Sequence, residues 1–393
     1  MYDAIVVGAR TAGSPTAMLL ARQGHSVLLL DKATFPSDTL STHLMHVPAM
    51  AALKRWGLHD AVVATGAPPH TTFTMDFGPF AIVGQPPPFE GATSPYCVRR
   101  TALDEILVGA ARDAGAEVRT GTGVAEVLIE DGTVTGVRTR DGAVARARIV
   151  IGADGLHSTV AKAVGAKAYA DTPALTAGYY AYYTGVSRDG AEIYNLGDRT
   201  VVVFPTNDGT AVVFVACPIA DFPDFRADVE GNYAAAIARV PGLAERVANG
   251  ARTERIRGTA DVPNFLREAY GDGWALVGDA GYHKDPCMAA GIMDAFLSAE
   301  WLAAAVHAGL TGERPMADAL AEYQTVRDER FLPYLQMTVG LASMEPPPPE
   351  QAALFAKIAS DPAESTRFFG ALQGSTPIGE YLSPENVGRI MSA

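Results

Sequence analysis

An α/β chain, in which a parallel-sheet domain is interrupted by an inserted β-sheet and followed by C-terminal helices, is predicted by three observations. The first is the apolar run Ala4-Ile5-Val6-Val7, which meets the turn Gly8-Ala9-Arg10-Thr11-Ala12-Gly13 and passes into Pro15-Thr16-Ala17-Met18-Leu19-Leu20-Ala21. That order reads as strand, tight turn and helix. The second is Val277-Gly278-Asp279-Ala280 with Pro286 and Gly291 behind it, far along the chain. The third is the long interval between them, which is rich in strand and hairpin signals.

Each end of that interval has a chemical meaning. The first turn aims unpaired backbone N–H groups and the positive end of a helix at a pyrophosphate. Asp31 follows the strand Ser26-Val27-Leu28-Leu29-Leu30, 18 residues past Gly13. A carboxylate there accepts hydrogen bonds from both hydroxyls of an adenosine ribose. Arg10 replaces the second glycine of the G-x-G-x-x-G fingerprint, so its side chain must turn away or pair with phosphate charge. Asp279, at a strand end, is suited to fix two hydroxyls of a polyol. Ile292, Ala295, Phe296, Ala299, Leu302, Ala303 and Val306 form an apolar stripe, so a helix starts near Ala289. Its positive end favours an electron-rich ring placed before it.

At 393 residues the chain suits two intimately joined domains. With 31 basic and 44 acidic residues the net charge is −13. A nucleic-acid role thus has no basic face, and an anionic membrane would repel the chain. The apolar N-terminal run lacks the basic leader of a signal peptide, and no stretch is long enough to span a bilayer. Cys97, Cys217 and Cys287 are scattered, which argues for a reducing cytoplasm and packing roles. His43-x-x-His46 has no nearby carboxylate or cysteine partner, so no metal site is expected.

Because the two turn motifs lie so far apart, the dinucleotide domain must be discontinuous: residues 1–70, 95–170 and 262–345, with 71–94 and 171–261 inserted to cover the substrate and 346–393 as a helical tail. In the first insert Thr72-Phe73-Thr74-Met75-Asp76-Phe77 alternates like a half-buried strand, and Gln85-Pro86-Pro87-Pro88 marks an irregular turn. In the second, Thr200-Val201-Val202-Val203-Phe204 and Ala211-Val212-Val213-Phe214-Val215 flank Asn207-Asp208-Gly209, a hairpin signal. Tyr179, Tyr180, Tyr182, Tyr183, Phe204 and Phe214 would let this sheet roof a pocket, with half of them only packing the sheet. Between the inserts, Arg99 and Arg100 open an amphipathic helix ending near Gly115. Two strands then surround Glu130-Asp131-Gly132. Residues 317–344 read as mostly helical, and Pro346 to Pro349 break that helix.

With these motifs in place, the chain resembles the group A flavin monooxygenase superfamily, the fold of the para-hydroxybenzoate hydroxylases. The resemblance rests on the Gly8 to Gly13 turn, on Gly152-Ala153-Asp154-Gly155-Leu156-His157-Ser158, and on Gly278-Asp279 with Pro286 and Gly291. It implies a Rossmann-like FAD-binding domain whose cofactor contacts fall on Gly8, Ala12, Gly13, Asp31, Lys32, Ser41, Thr42, Arg100, Val124, Asp154, Gly155, Gly278, Asp279, Pro286, Ala290, Gly291 and Ile292. Arg99 is an alternative to Arg100. His43 is open to two readings, a flavin contact or a packed imidazole. Tyr282-His283-Lys284-Asp285-Pro286 departs from the apolar or Pro-rich loop more usual beneath the ring. Pro286 would stiffen this turn, and His283, Lys284 or Asp285 would donate to a flavin peroxide or orient a substrate phenol or amine. The competing reading pairs Lys284 with Asp285 or with solvent. Ala161-Lys162 stands where relatives often carry an arginine.

The activity this implies is monooxygenation. NAD(P)H, docking transiently, and O2 would generate a flavin C4a-hydroperoxide that hydroxylates or epoxidises a small aromatic or olefinic substrate. The protein would be a cytoplasmic monomer or homodimer. No second dinucleotide fingerprint occurs, which leaves a separate flavin reductase open as partner. The alternatives are a reductase of isoprenoid double bonds, whose usual cysteine-containing loop after the second strand is missing, and a non-catalytic flavin carrier. A tryptophan-halogenase-like enzyme comes last, because Trp56, Trp274 and Trp301 cannot supply a Trp-x-Trp-x-Ile-Pro signature.

Overall fold

The computed structural model describes residues 1–188 and 190–392; Asp189, in the second insert, and Ala393, the last residue of the tail, lie outside the described residues. Strand Tyr2–Val7 is apolar on both faces because long helices cover one side of its sheet, and strands Val124–Glu130 and Thr133–Thr139 with helix Thr159–Val164 cover the other. It pairs in parallel with Val27–Leu30 and with Val144–Gly152, so that Ile5 lies between Leu28 and Val150. Trp274–Leu276 extends the sheet in parallel beyond Val144–Gly152, and Glu117–Arg119 extends it at the other side. Chain segments far apart in sequence are therefore neighbours at the sheet centre. The hairpin of Val124–Glu130 and Thr133–Thr139 joins the start of Val144–Gly152. Asp131 and Gly132 turn it with φ of +50° and +82°.

The first turn is built around its glycines. Gly8 has φ +103°, and a Cβ on it would strike the Ala153 backbone, as one on Gly13 would strike the Gly8 carbonyl. Helix Gly13–Arg22 then runs beneath the sheet against helix Gly291–Thr311 and helix Arg100–Asp113.

The second sheet unites both inserts. Phe73–Asp76 pairs in parallel with Ala191–Asn195, Met75 opposite Ile193, and Ala81–Gly84 forms the edge. Thr176–Thr184 and Thr200–Pro205 flank Thr210–Pro218, and the hairpin turn holds Asp208 and Gly209 at φ +60° and +66°. Side chains alternate across this sheet. Tyr180, Tyr182, Phe204 and Phe214 enter the central core, whereas Tyr179 and Tyr183 join Val203 and Val213 against the outer helices. A smaller sheet of Ala168–Thr172, Asn264–Arg267 and Tyr282–His283 lies between the two.

The helix expected near Ala289 begins at Gly291, because Pro286–Met288 forms a 3-10 turn and Ala289 takes φ +51°. Met316–Ala342 packs along it. After the Pro346 to Pro349 break, helices Pro349–Ser360, Pro362–Leu372, Ile378–Tyr381 and Pro384–Ser392 follow. The first two rest on the edge strand at Gly84, where a Cβ would press on Phe369 and on the Ser365 backbone.

Candidate active site

A cavity of about 620 Å³ runs from the first turn to the N-terminus of Gly291–Thr311, under the second sheet. Every residue singled out above as a cofactor contact lines it except Gly13, which lies behind the turn; His283, Lys284, Asp285 and Pro286 line it as well.

At the first-turn end Asp31 is buried and held by its own neighbourhood. Its two carboxylate oxygens accept from the backbone N–H groups of Ala9 and Ala33, both at 2.7 Å. Arg10 turns sideways: its guanidinium reaches the Asp104 carboxylate at 2.6 Å and the Ser37 hydroxyl at 3.0 Å. Asp104, fully buried, also accepts both bonds of a forked contact from Arg100, at 2.9 and 3.1 Å. Arg100 lines the cavity, while Arg99 stacks on the Tyr182 ring at 3.9 Å and pairs with Glu254 at 2.5 Å.

The middle of the cavity is set by two aspartates in opposite situations. Asp154 accepts from the Ser158 hydroxyl at 2.5 Å and the Thr159 N–H at 2.6 Å, closing the start of helix Thr159–Val164. Burial raises its carboxyl above the usual range despite those bonds. Asp279 is exposed toward the cavity and has no side-chain partner among the described residues. Gly278 is locked at φ +60° with no room for a Cβ beside Ala12.

Beneath the far end, residues 282–285 are extended, so successive side chains point to opposite sides. Lys284 forms a buried ion pair with Asp294 and donates to the Tyr282 hydroxyl at 3.0 Å. The partner in the structure is thus Asp294 on the following helix, not Asp285. Asp285 accepts from the Thr176 hydroxyl at 2.5 Å and from the Cys287 N–H at 3.0 Å, and its own N–H donates to Asn264 at 2.8 Å. Burial pushes the Asp285 and Asp294 carboxyls upward. His283 contacts the Pro263 carbonyl through Nδ1 and stacks on Phe265 with an interplanar angle of 27°.

The roof contributes Gly178, Tyr180 and Phe214. His43 is packed rather than open: it is fully buried, has φ +61°, and its Nε2 meets the Tyr182 hydroxyl. Burial first, then Arg100, Arg99 and Arg257, keep its imidazole neutral. Asp104, Thr176, Asn264 and Asp294 went unnoticed in the sequence. Asp104 carried a signal, since it lies one helical turn after Arg100. So did Asp294, a charge between the apolar positions Ile292 and Phe296.

This arrangement fits a bound FAD on its own geometry: a glycine turn with no space for side chains, an unpartnered carboxylate at Asp279, and a free helix N-terminus at the far end of one cavity. Comparison with known proteins agrees. The family model "FAD binding domain" matches residues 1–333, and the chain belongs to that family. It is an FAD-dependent oxidoreductase with the group A flavoprotein fold. The digeranylgeranylglycerophospholipid reductase of Methanocella arvoryzae is 28% identical over 314 residues, 76% of this chain and 75% of that protein. The myxobacterial chondrochloren halogenase CndH superposes with a TM-score of 0.80 at 22% identity, covering 99% of this chain and 95% of that one. PqsL, a probable FAD-dependent monooxygenase from Pseudomonas aeruginosa, does so with a TM-score of 0.74 at 20% identity, covering 95% and 100%. Its structure is also known in complex with 2-aminobenzoylacetate. Among the described residues no helix is long and apolar enough to cross a membrane.

Proposed function

We propose that this protein is a monooxygenase that uses NAD(P)H and O2 to hydroxylate or epoxidise a small aromatic or olefinic compound. The single observation that carries the reading is the aromatic ceiling of Tyr180 and Phe214 over the same cavity that holds Asp279 and the start of helix Gly291–Thr311. Residues 1–70, 95–170 and 262–345 hold FAD, and 71–94 and 171–261 cover the substrate. When bound, FAD supplies two-electron redox chemistry and the activation of dioxygen.

The chain's own residues bind, orient and exclude water. Asp31 takes the adenosine ribose and Asp279 the ribityl hydroxyls. Arg100, braced by Asp104, meets phosphate charge. Pro286 and the Asp285 contacts with Thr176 and Asn264 hold residues 282–286, at the far end of the cavity, against the roof strand and strand Asn264–Arg267. The Pro263 carbonyl fixes a proton on His283 Nδ1 and leaves Nε2 as the acceptor for a proton from a substrate hydroxyl. Reductant docks transiently, or a separate reductase delivers electrons.

A second reading, reduction of an isoprenoid double bond, is favoured by the similarity to the M. arvoryzae reductase. A visible spectrum of the purified protein, followed by a screen for compounds that accelerate NAD(P)H consumption, separates the two. Compound-stimulated oxidation with matched O2 uptake and an oxygenated product supports monooxygenation. Anaerobic turnover that saturates a double bond replaces it with the second reading. A product that forms only with added halide overturns both.

A further inference from the structure

Lys284 has a proton to spare. An ammonium carries three N–H donors, and the structure accounts for two: one to the Asp294 carboxylate and one to the Tyr282 hydroxyl at 3.0 Å. No third acceptor occurs among the described residues, although Lys284 is only 8% and Asp294 only 5% exposed. Leaving a buried cationic donor unsatisfied is costly. Both side chains line the cavity beside Pro286 and the first helical residues Gly291 and Ile292, whose N–H groups have no intrahelical partner. Several donors and one net-neutral charge pair thus converge where the redox end of the dinucleotide must lie, opposite the Asp31 end. An acceptor that gains negative charge on reduction answers that arrangement.

We propose that the Lys284–Asp294 pair sets the reduction potential of bound FAD: Lys284 donates its third proton to the pyrimidine edge of the ring, and Asp294 is the counter-charge that limits the effect. Transfer of a hydride, two electrons and one proton, from NAD(P)H to the ring leaves NAD(P)+ and an extra negative charge that collects at the N1 and C2-carbonyl edge. A nearby positive charge stabilises this form over the oxidised ring, and a nearby negative charge opposes it. The proposal rests on FAD binding and on no particular substrate.

The two members of the pair must then act with opposite signs. Measured by reductive titration of the holoprotein against a redox dye, Lys284→Met is expected to weaken the preference for reduced over oxidised FAD about tenfold, a fall of about 30 mV for a two-electron couple. Asp294→Asn is expected to raise the potential by a comparable amount. Lys284→Arg, which keeps the charge, is expected to stay near the wild-type value. Should Lys284→Met lose FAD because it strands a buried carboxylate, Lys284→Met/Asp294→Asn compared with Asp294→Asn alone isolates the lysine, with the same fall expected. Unshifted potentials, or shifts of one sign in both single variants, overturn the proposal. Unshifted potentials in an enzyme that still oxygenates its substrate would leave the monooxygenase reading standing; the expected shifts in a protein without O2 chemistry would do the reverse.

Discussion

Asp104 holds two guanidiniums at once, Arg10 and Arg100, from zero exposure. Its removal would leave two cations without a counter-charge at the mouth of the first turn. Asp104→Ala is therefore expected to cost about 3 kcal/mol in urea unfolding of the apoprotein, whereas an exposed pair such as Arg138–Glu126 lost through Glu126→Ala should cost well under about 1 kcal/mol. Equal midpoints for the two variants would remove Asp104 from the supporting structure of the site. Asp279 is the opposite case, a side chain with no internal duty. Asp279→Ala should fold with an unchanged far-ultraviolet spectrum and purify largely colourless; full retention of FAD would refute the ribityl contact. That Asp31 and Asp279 both line the cavity was legible, because at each a strand, a glycine turn and an acid fall in register locally. Asp294 shows in the sequence only as a charge within an apolar stripe, because its partner is Lys284, ten residues earlier in an extended segment, a pairing that no local periodicity encodes.

At the scale of elements, the roof strand Thr176–Thr184 shows what a tyrosine-rich run reveals and what it conceals. Alternation guarantees that Tyr180 and Tyr182 share a face opposite Tyr179 and Tyr183. Which face meets the site could not be read, because the outer helices bury the far side as thoroughly as the cavity buries the near one. The structure settles the parity: Tyr180 lines the cavity with its buried hydroxyl unpartnered among the described residues, and Tyr179 stacks on Phe225 at 4.4 Å. Tyr180→Phe is expected to raise the KM of a stimulating compound at least threefold, with FAD content and melting temperature nearly unchanged, since only a hydrogen-bonding group is lost. Tyr179→Leu is expected to lower the melting temperature through lost aromatic packing and to leave KM alone. Kinetics and thermal melts on the two variants check this, and a reversed pattern would invert the assignment of faces. The helix start shows a smaller discrepancy of the same kind. Apolar spacing placed it near Ala289, but the spacing is blind to the left-handed Ala289 backbone that delays it to Gly291.

The molecule as a whole is held by contacts between segments that the sequence shows only separately. That distant segments meet in one parallel sheet was legible because the turn motifs at residues 8–13 and 278–279 each follow an apolar strand run. The parallel pairing of Phe73–Asp76 with Ala191–Asn195 was not, since no turn joins them and each run reads alike whatever its neighbour. At these junctions sit two buried histidines. His46 reaches the Met288 carbonyl at 3.0 Å, tying the helix Val47–Trp56 to the loop before Gly291. His70, just before the first insert, reaches the Pro205 carbonyl at 2.9 Å and so ties the entry to that insert to the roof hairpin, between the rings of Phe73 and Phe204. Burial lowers both imidazoles to about 4 from the ordinary 6.5. The folded protein therefore binds fewer protons than the unfolded chain between those values, so stability is complete above pH 6.5 and falls as pH drops toward 4. Each histidine should remove on the order of 3 kcal/mol across that window. His70→Phe tests this without emptying the aromatic cluster. It should lose about 1 kcal/mol at pH 7 with the hydrogen bond to Pro205, and yet equal or exceed the wild type at pH 4.5, where the imidazole's proton penalty outweighs that bond. Urea midpoints from pH 7 to 4.5 check the crossing; wild-type and variant curves that stay parallel would mean His70 titrates with its ordinary affinity in the fold.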